Sequence, residues 1–160
     1  MEIKVFLDKE KKTIELGKLI GKNLSKPSLI YLNGDLGAGK TYLSKGIAKG
    51  LGIKTEITSP TFTLINEHKT DDAKIYHLDL YRLSGLNEVL DLGIEDFVDS
   101  PNSVVLIEWA DKLNGKKLSK NLIEIEILHE KQGRTFVLRS DSQLYNKLLE
   151  DIKDFANTRN

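Results

Sequence analysis

Gly34-Asp35-Leu36-Gly37-Ala38-Gly39-Lys40-Thr41 follows directly on the apolar run Leu29-Ile30-Tyr31-Leu32 and runs into apolar residues at helical spacing, Leu43, Ile47 and Leu51. Strand, glycine-rich turn, Lys-Thr and helix form the context in which G-x-x-x-x-G-K-[ST] is a phosphate-binding loop. The bare pattern should arise by chance in about one chain of this length in two hundred, so the flanking elements raise it well above coincidence. The glycines let the backbone double back and approach an anion closely. The loop amides and the first helical turn then point N–H groups and the positive end of the helix dipole at the ligand. Asp35, Gly37, Ala38, Gly39, Lys40, Thr41 and Tyr42 are therefore the expected phosphate contacts. Lys40 suits the β- and γ-phosphates of ATP, and the Thr41 hydroxyl suits Mg²⁺.

Outward from this loop, the pattern is α/β: a P-loop three-layer fold with a mixed, mostly parallel central sheet and antiparallel hairpins. Ile3-Lys4-Val5-Phe6 reads as an edge strand, and Leu16, Leu19, Ile20 and Leu24 predict a helix from about Lys9 to Asn23. Leu29–Leu32 and Val104–Ile107 are apolar throughout, as central parallel strands covered on both faces should be. They are expected side by side. Phe62–Glu67 and Lys74–Leu80 are separated by a short polar turn, too short for a parallel crossover, so they predict a hairpin. Leu86–Leu92 predicts a short helix, followed by a loop with Glu95, Asp96, Asp99 and Pro101. Ile123, Ile125 and Ile127 alternate with glutamates and turn through Gln132-Gly133 into a strand at Arg134–Leu138. Leu144, Leu148, Ile152 and Phe155 predict a terminal helix.

The chain has 160 residues, 39% hydrophobic and 30% charged, with 24 basic and 24 acidic side chains. One domain over 1–160 is expected. Zero net charge argues against a surface built to grip nucleic acid alone. The four lysines Lys112, Lys116, Lys117 and Lys120 form the one basic run. With no cysteine, disulfides and thiolate chemistry are excluded. The amino terminus lacks the apolar core of a signal peptide, and no run approaches the ~18 apolar residues of a membrane helix. A cytoplasmic location without membrane attachment is expected.

A loop that binds phosphate hydrolyses nothing unless a carboxylate joins the metal shell and another group orients water. Such groups come from the carboxyl ends of strands next to the loop. Asp79 and Glu108 are the two that qualify, and which takes the metal and which the water stays open. Thr61, in Ser59-Pro60-Thr61, is placed to sense the terminal phosphate, or else is ordinary turn chemistry. His77 reads as a structural histidine rather than a catalytic one. Arg82 is either a phosphate cation or a surface ion pair. Trp109, the only tryptophan, either stacks on a base or partner, or fills core.

GDLGAGKT, SPTF, HLDLYRL and IEW, in this order and spacing, closely resemble the bacterial TsaE family. The resemblance runs from the first helix to about Trp109 and beyond it rests on general architecture. It implies Mg²⁺-dependent ATP hydrolysis in tRNA threonylcarbamoyladenosine biosynthesis. The partners implied are TsaD and TsaB, which attach threonylcarbamoyl to adenosine 37, so that tRNA is met through them. Carried over by position, Lys40 and Thr41 take phosphate and metal, Thr61 is switch-like, and Asp79 and Glu108 are the functional carboxylates. Trp109 is the aromatic after the second. Ala110-Asp111 departs from a family pattern that often has proline there, which bears on the shape of that loop. Two other classes fit a P-loop. A small-molecule kinase would be expected to carry an arginine-rich lid, but there are four arginines, three of them after residue 130. A GTPase-like switch would use Asn-Lys-x-Asp, and Asn146-Lys147-Leu148-Leu149 lacks the acid.

Overall fold

A computed structural model describes residues 1–158. In chain order the elements are β1 (Glu2–Leu7), α1 (Glu10–Asn23), β2 (Ser28–Gly34), α2 (Lys40–Gly50), β3 (Ile65–Lys69), β4 (Lys74–Asp79), α3 (Leu86–Leu90), α4 (Glu95–Val98) and β5 (Ser103–Glu108). A 3₁₀ turn at Ala110–Leu113 leads to β6 (Leu122–Glu130) and β7 (Gly133–Arg139); a second, Gln143–Tyr145, leads to α5 (Asn146–Asn157).

The strands form one sheet in the order β1-β7-β6-β2-β5-β4-β3. The four central strands β6, β2, β5 and β4 are parallel. The hairpins β6–β7 and β3–β4, and the β1–β7 pair, are antiparallel and flank them. This is the mixed sheet expected, and β2 and β5 are neighbours, Tyr31 facing Ile107 in register.

Strand alternation explains why β2 is apolar on both sides. Ile30 and Leu32 face a core that also holds Leu16, Ile20, Leu43, Ile47 and Ile152 from α1, α2 and α5. Leu29 and Tyr31 face a second core with Val89, Val98 and Leu113, from α3, α4 and the first 3₁₀ turn. The result is three layers, with β2 and β5 buried along most of their length.

Helices α1 and α2 touch through glycines. Gly17 and Gly21 lie one turn apart on α1, Gly46 and Gly50 one turn apart on α2. A Cβ added at Gly46 would lie 2.9 Å from the Gly17 Cα, and one at Gly50 would lie 3.0 Å from the Gly21 Cα. Only hydrogen side chains allow this backbone approach. Since α2 begins at Lys40, the contact also sets where the phosphate loop ends.

Several boundaries differ from those expected of the sequence; the helix expected over Leu86–Leu92, for one, ends at Leu90. The extended run expected from Phe62 begins only at Ile65, because the amides of Thr63 and Leu64 both bond the Pro60 carbonyl and close a turn. Leu64 leaves that turn with φ 65°, and Phe62 is 82% exposed. Glu95 and Asp96, expected in a loop, form the first turn of α4. The basic run, which its lysines lead one to expect as a loop over Lys112–Lys120, begins inside a 3₁₀ turn. Leu144 stays exposed in the second 3₁₀ turn, and Tyr145 fills the core instead.

Candidate functional site

β2 delivers the chain to the phosphate loop, and α2 leaves it. The Ala38 amide bonds the Asp35 carbonyl at 2.9 Å, and the Leu43 amide bonds the Gly39 carbonyl at 3.1 Å, starting the helix. Gly37 (φ 78°) and Gly39 (φ 108°) adopt backbone angles that side chains resist. The loop walls a cavity of about 220 Å³, lined also by Thr41, Tyr42, Ser59, Thr61, Asp79, Tyr81, Glu108 and Trp109. Nearly every residue picked from the sequence thus reaches one place. Among the expected phosphate contacts Asp35 is the exception: its side chain is exposed, and its carbonyl takes a hydrogen bond from Lys40 Nζ at 3.0 Å.

Lys40 is 7% exposed. Its ammonium also donates to the Gly34 carbonyl and sits 4.3 Å from the centre of the Trp109 ring, a cation–π contact. Burial pulls its pKa below 10.5, against the opposing pull of Glu108, Asp79, Asp35 and Asp111. Trp109 is neither core nor surface. It is half-buried, in a left-handed conformation at φ 57°, with the Tyr81 ring 4.9 Å away. Such a conformation for a bulky residue costs about 1–3 kcal/mol and marks a constrained position.

Asp79 and Glu108 end β4 and β5 and face each other in register. They are 3% and 2% exposed. Asp79 Oδ2 accepts from Thr61 Oγ1 at 2.9 Å, and Oδ1 from the Tyr81 amide at 2.9 Å. Ser59 Oγ lies 2.7 Å from Thr61 Oγ1, so the Ser59–Thr61 segment is latched onto Asp79 by hydroxyls. Glu108 Oε1 accepts from His77 Nε2 at 3.1 Å. Ser44 Oγ is 3.1 Å from the same oxygen and 2.8 Å from the Lys40 carbonyl. Its single proton serves one at a time.

His77 is the hydrogen-bonded structural histidine expected, and its partner across the strands is Glu108. Two contributors are not singled out by the sequence. Ser44 is one helical turn after Lys40, a spacing that could expose it. Arg134 reaches the loop from β7, with Nη2 3.4 Å from the Gly37 carbonyl. Arg82, the arginine nearest in sequence to Asp79, lies instead over the exposed Phe62 ring at 4.4 Å.

The oxygens here, the Thr41 hydroxyl and two carboxylates, are hard donors of the kind Mg²⁺ prefers. Among the described residues no cluster of three or more His, Cys, Asp or Glu forms a ready-made metal cage. A larger groove of about 1350 Å³ opens at the other end of the sheet, beside Pro27, Lys117, Asn121 and Leu144. It holds none of the loop residues. Two of the four lysines of the basic run beside it are paired, Lys116 with Glu95 at 3.0 Å and Lys117 with Asp141 at 2.8 Å. No helix among the described residues is long and apolar enough to cross a membrane.

Loop, helix start and paired strand-end carboxylates define a protein of the P-loop NTPase class. The family model described as "Threonylcarbamoyl adenosine biosynthesis protein TsaE" matches residues 7–136. The chain belongs to the TsaE family. Similar proteins carrying the name "tRNA threonylcarbamoyladenosine biosynthesis protein TsaE" include one from Nostoc sp., 47% identical over 113 residues and 69% of each chain. Another is from Rickettsia felis, 37% identical over 142 residues, 87% of this chain and 81% of that protein. The crystal structure of Bacillus subtilis YdiB superposes with a TM-score of 0.74 at 31% identity, covering 97% of this chain and 96% of that one.

Proposed function

We propose that this protein binds ATP with Mg²⁺ and hydrolyses it in the service of tRNA threonylcarbamoyladenosine biosynthesis, acting on TsaD and TsaB rather than on tRNA directly. The observation that carries the reading is the meeting of Lys40, Thr41, Thr61, Asp79 and Glu108 around one cavity at the loop.

The chain's own groups divide the task. The loop amides and Lys40 hold the β- and γ-phosphates. Lys40 gives up its carbonyl partners for phosphate oxygens, which carry more charge. Bound Mg²⁺ would neutralise developing charge between the phosphates, held by the Thr41 hydroxyl and one carboxylate. The other carboxylate orients water. His77 and Ser44 fix Glu108, while Thr61 and the Tyr81 amide fix Asp79, so neither needs to reorganise during reaction. The Thr61–Asp79 bond ties the exposed Phe62 segment to the carboxylate. A change of ligand at Asp79 thereby reaches a surface that a partner can read. At about 220 Å³ the cavity is smaller than the ~300–1,000 Å³ of pockets that enclose a whole ligand. It suits the phosphate chain, with the nucleoside lying outside. Zero net charge fits a protein that leaves tRNA to its partners.

The test is ATP turnover by the full chain, alone and with TsaD and TsaB, beside Lys40→Ala, Asp79→Asn and Glu108→Gln. Slow basal turnover that rises with partners is expected. Lys40→Ala should lose tight nucleotide binding, and the carboxylate variants should keep binding better than turnover. Parent turnover in both carboxylate variants would remove them from the site. Unchanged threonylcarbamoyladenosine in a depleted strain would reject the pathway.

A further inference from the structure

Arg134 enters β7 opposite His129 of β6 and Leu7 of β1, a register that aims its side chain at the phosphate loop. Its guanidinium occupies the space a side chain at residue 39 would fill. A Cβ on Gly39 would lie 3.2 Å from Arg134 Nε and 3.3 Å from Cδ. The glycine thus serves its φ of 108° and also leaves the guanidinium room for this close approach. Nη2 donates to the Gly37 carbonyl at 3.4 Å. Nε is buried without an acceptor. None of the ion pairs among the described residues involves Arg134. Its field reaches the first turn of α2. There a hydrogen bond to Glu10 raises the Tyr42 hydroxyl pKa, and Lys45 and, less, Arg134 oppose that rise.

We propose that Arg134 is a positioning residue for the phosphate loop, bracing the Gly37–Gly39 turn from behind so that its amides stay turned toward the anion. In such a loop the N–H groups face the ligand and the carbonyls face away. A donor that engages a carbonyl on the outer side holds that polarity in place. Arginine suits the position because its planar fork stays charged at every working pH. Lys40 cannot share this task, since its ammonium lies on the ligand side and must exchange partners on binding. Arg134 also makes the loop answer to the β6–β7 hairpin.

The proposal rests on the nucleotide reading for its ligand, so the experiment has one arm that needs no ligand. In the full chain, Arg134→Gln and Arg134→Lys are compared with the parent by hydrogen exchange of the Gly37–Thr41 amides and by ADP titration calorimetry. Arg134→Gln is expected to exchange faster across the loop, and to bind ADP more weakly by at least about tenfold, the loss of one charged hydrogen bond. Arg134→Lys, which keeps the charge but gathers its donors on one nitrogen, should recover part of both. Thermal unfolding should stay within a few degrees, because the guanidinium braces a loop and not the core. Parent-like loop exchange in Arg134→Gln would overturn the proposal, even with weakened ADP binding, since Arg134 would then act on the ligand itself. Failure of the parent to bind ADP would reject the nucleotide reading, while loop exchange would still decide the brace.

Discussion

His77→Leu tests what holds Glu108 in place. The substitution puts an apolar side chain of similar bulk at a position 1% exposed. It removes the Nε2 donor 3.1 Å from Glu108 Oε1. Glu108 is 2% exposed, and its remaining donor is the Ser44 hydroxyl, whose one proton the Lys40 carbonyl also attracts. A hydrogen bond to a charged group contributes about 1.5–3 kcal/mol. His77 Nδ1 has no partner in the parent, so removing the ring also relieves one buried orphan, which places the net loss near the lower end, about 1.5–2 kcal/mol. For a chain of this size that lowers the melting temperature by roughly 3–8 °C. The sharper assay is a double-mutant cycle by urea unfolding with His77→Leu, Glu108→Ala and the pair, since alanine removes the acceptor that glutamine would keep. A coupling of about 1–2 kcal/mol is expected, because the two side chains touch. Turnover in His77→Leu should fall about 10–100-fold through a mispositioned carboxylate, with little change in nucleotide affinity. A coupling below about 0.5 kcal/mol, the limit of additivity for independent sites, would refute the claim that His77 holds Glu108.

Gly46→Ala should destabilise by about 1–3 kcal/mol although alanine is the better helix former, because the added methyl meets the Gly17 backbone; urea unfolding checks it, and a gain in stability would show that α1 and α2 can separate freely. Trp109 is the only tryptophan, and Lys40 Nζ lies against its ring, so ADP should change its fluorescence as the ammonium leaves for phosphate. A flat signal at saturating ADP would contradict that exchange. Burial holds the Lys40 pKa below 10.5, and only the protonated form attracts phosphate. ADP affinity should therefore be constant near neutral pH and fall as pH rises, starting earlier than a free lysine would dictate. Affinity unchanged through pH 10.5 would remove Lys40 from the phosphate contacts.

The parts of this molecule that could be read from its sequence are those whose cause is local. The loop at residues 34–41 needs a strand before it, a helix after it and small residues between, and all three are written within a short stretch. Two wholly apolar strands must both be central, and they are. Carboxylates at the ends of strands next to the loop must face it. Where a local rule met a competing local rule, the stronger chemistry won. Phe62 and Thr63 favour extended backbone, yet the Pro60 carbonyl captures two amides and closes a turn. Leu144 continues the apolar spacing of α5, but a 3₁₀ turn before that helix leaves it exposed and Tyr145 takes its place in the core.

What stayed hidden depends on pairs far apart in the chain. Arg134 is 97 positions from Gly37, and nothing around it distinguishes a loop brace from an exposed hairpin cation. Only the β6–β7 register and the missing side chain at Gly39 reveal the difference. The glycine contact between α1 and α2 is an intermediate case. Gly17-x-x-x-Gly21 and Gly46-x-x-x-Gly50 each announce a smooth stripe, and two such stripes on consecutive helices are complementary surfaces. Spacing alone does not say that they face each other, since each could equally admit a ligand or a third element. The sheet supplies the missing constraint. β1, which leads into α1, lies at one edge, and β2, which leads into α2, lies at the centre. Both helices pack on the same face of the sheet, where each is the other's neighbour. The site is therefore held from three directions by residues that carry no phosphate: glycines under the helix that follows the loop, histidine behind the Glu108 carboxylate and arginine behind the turn.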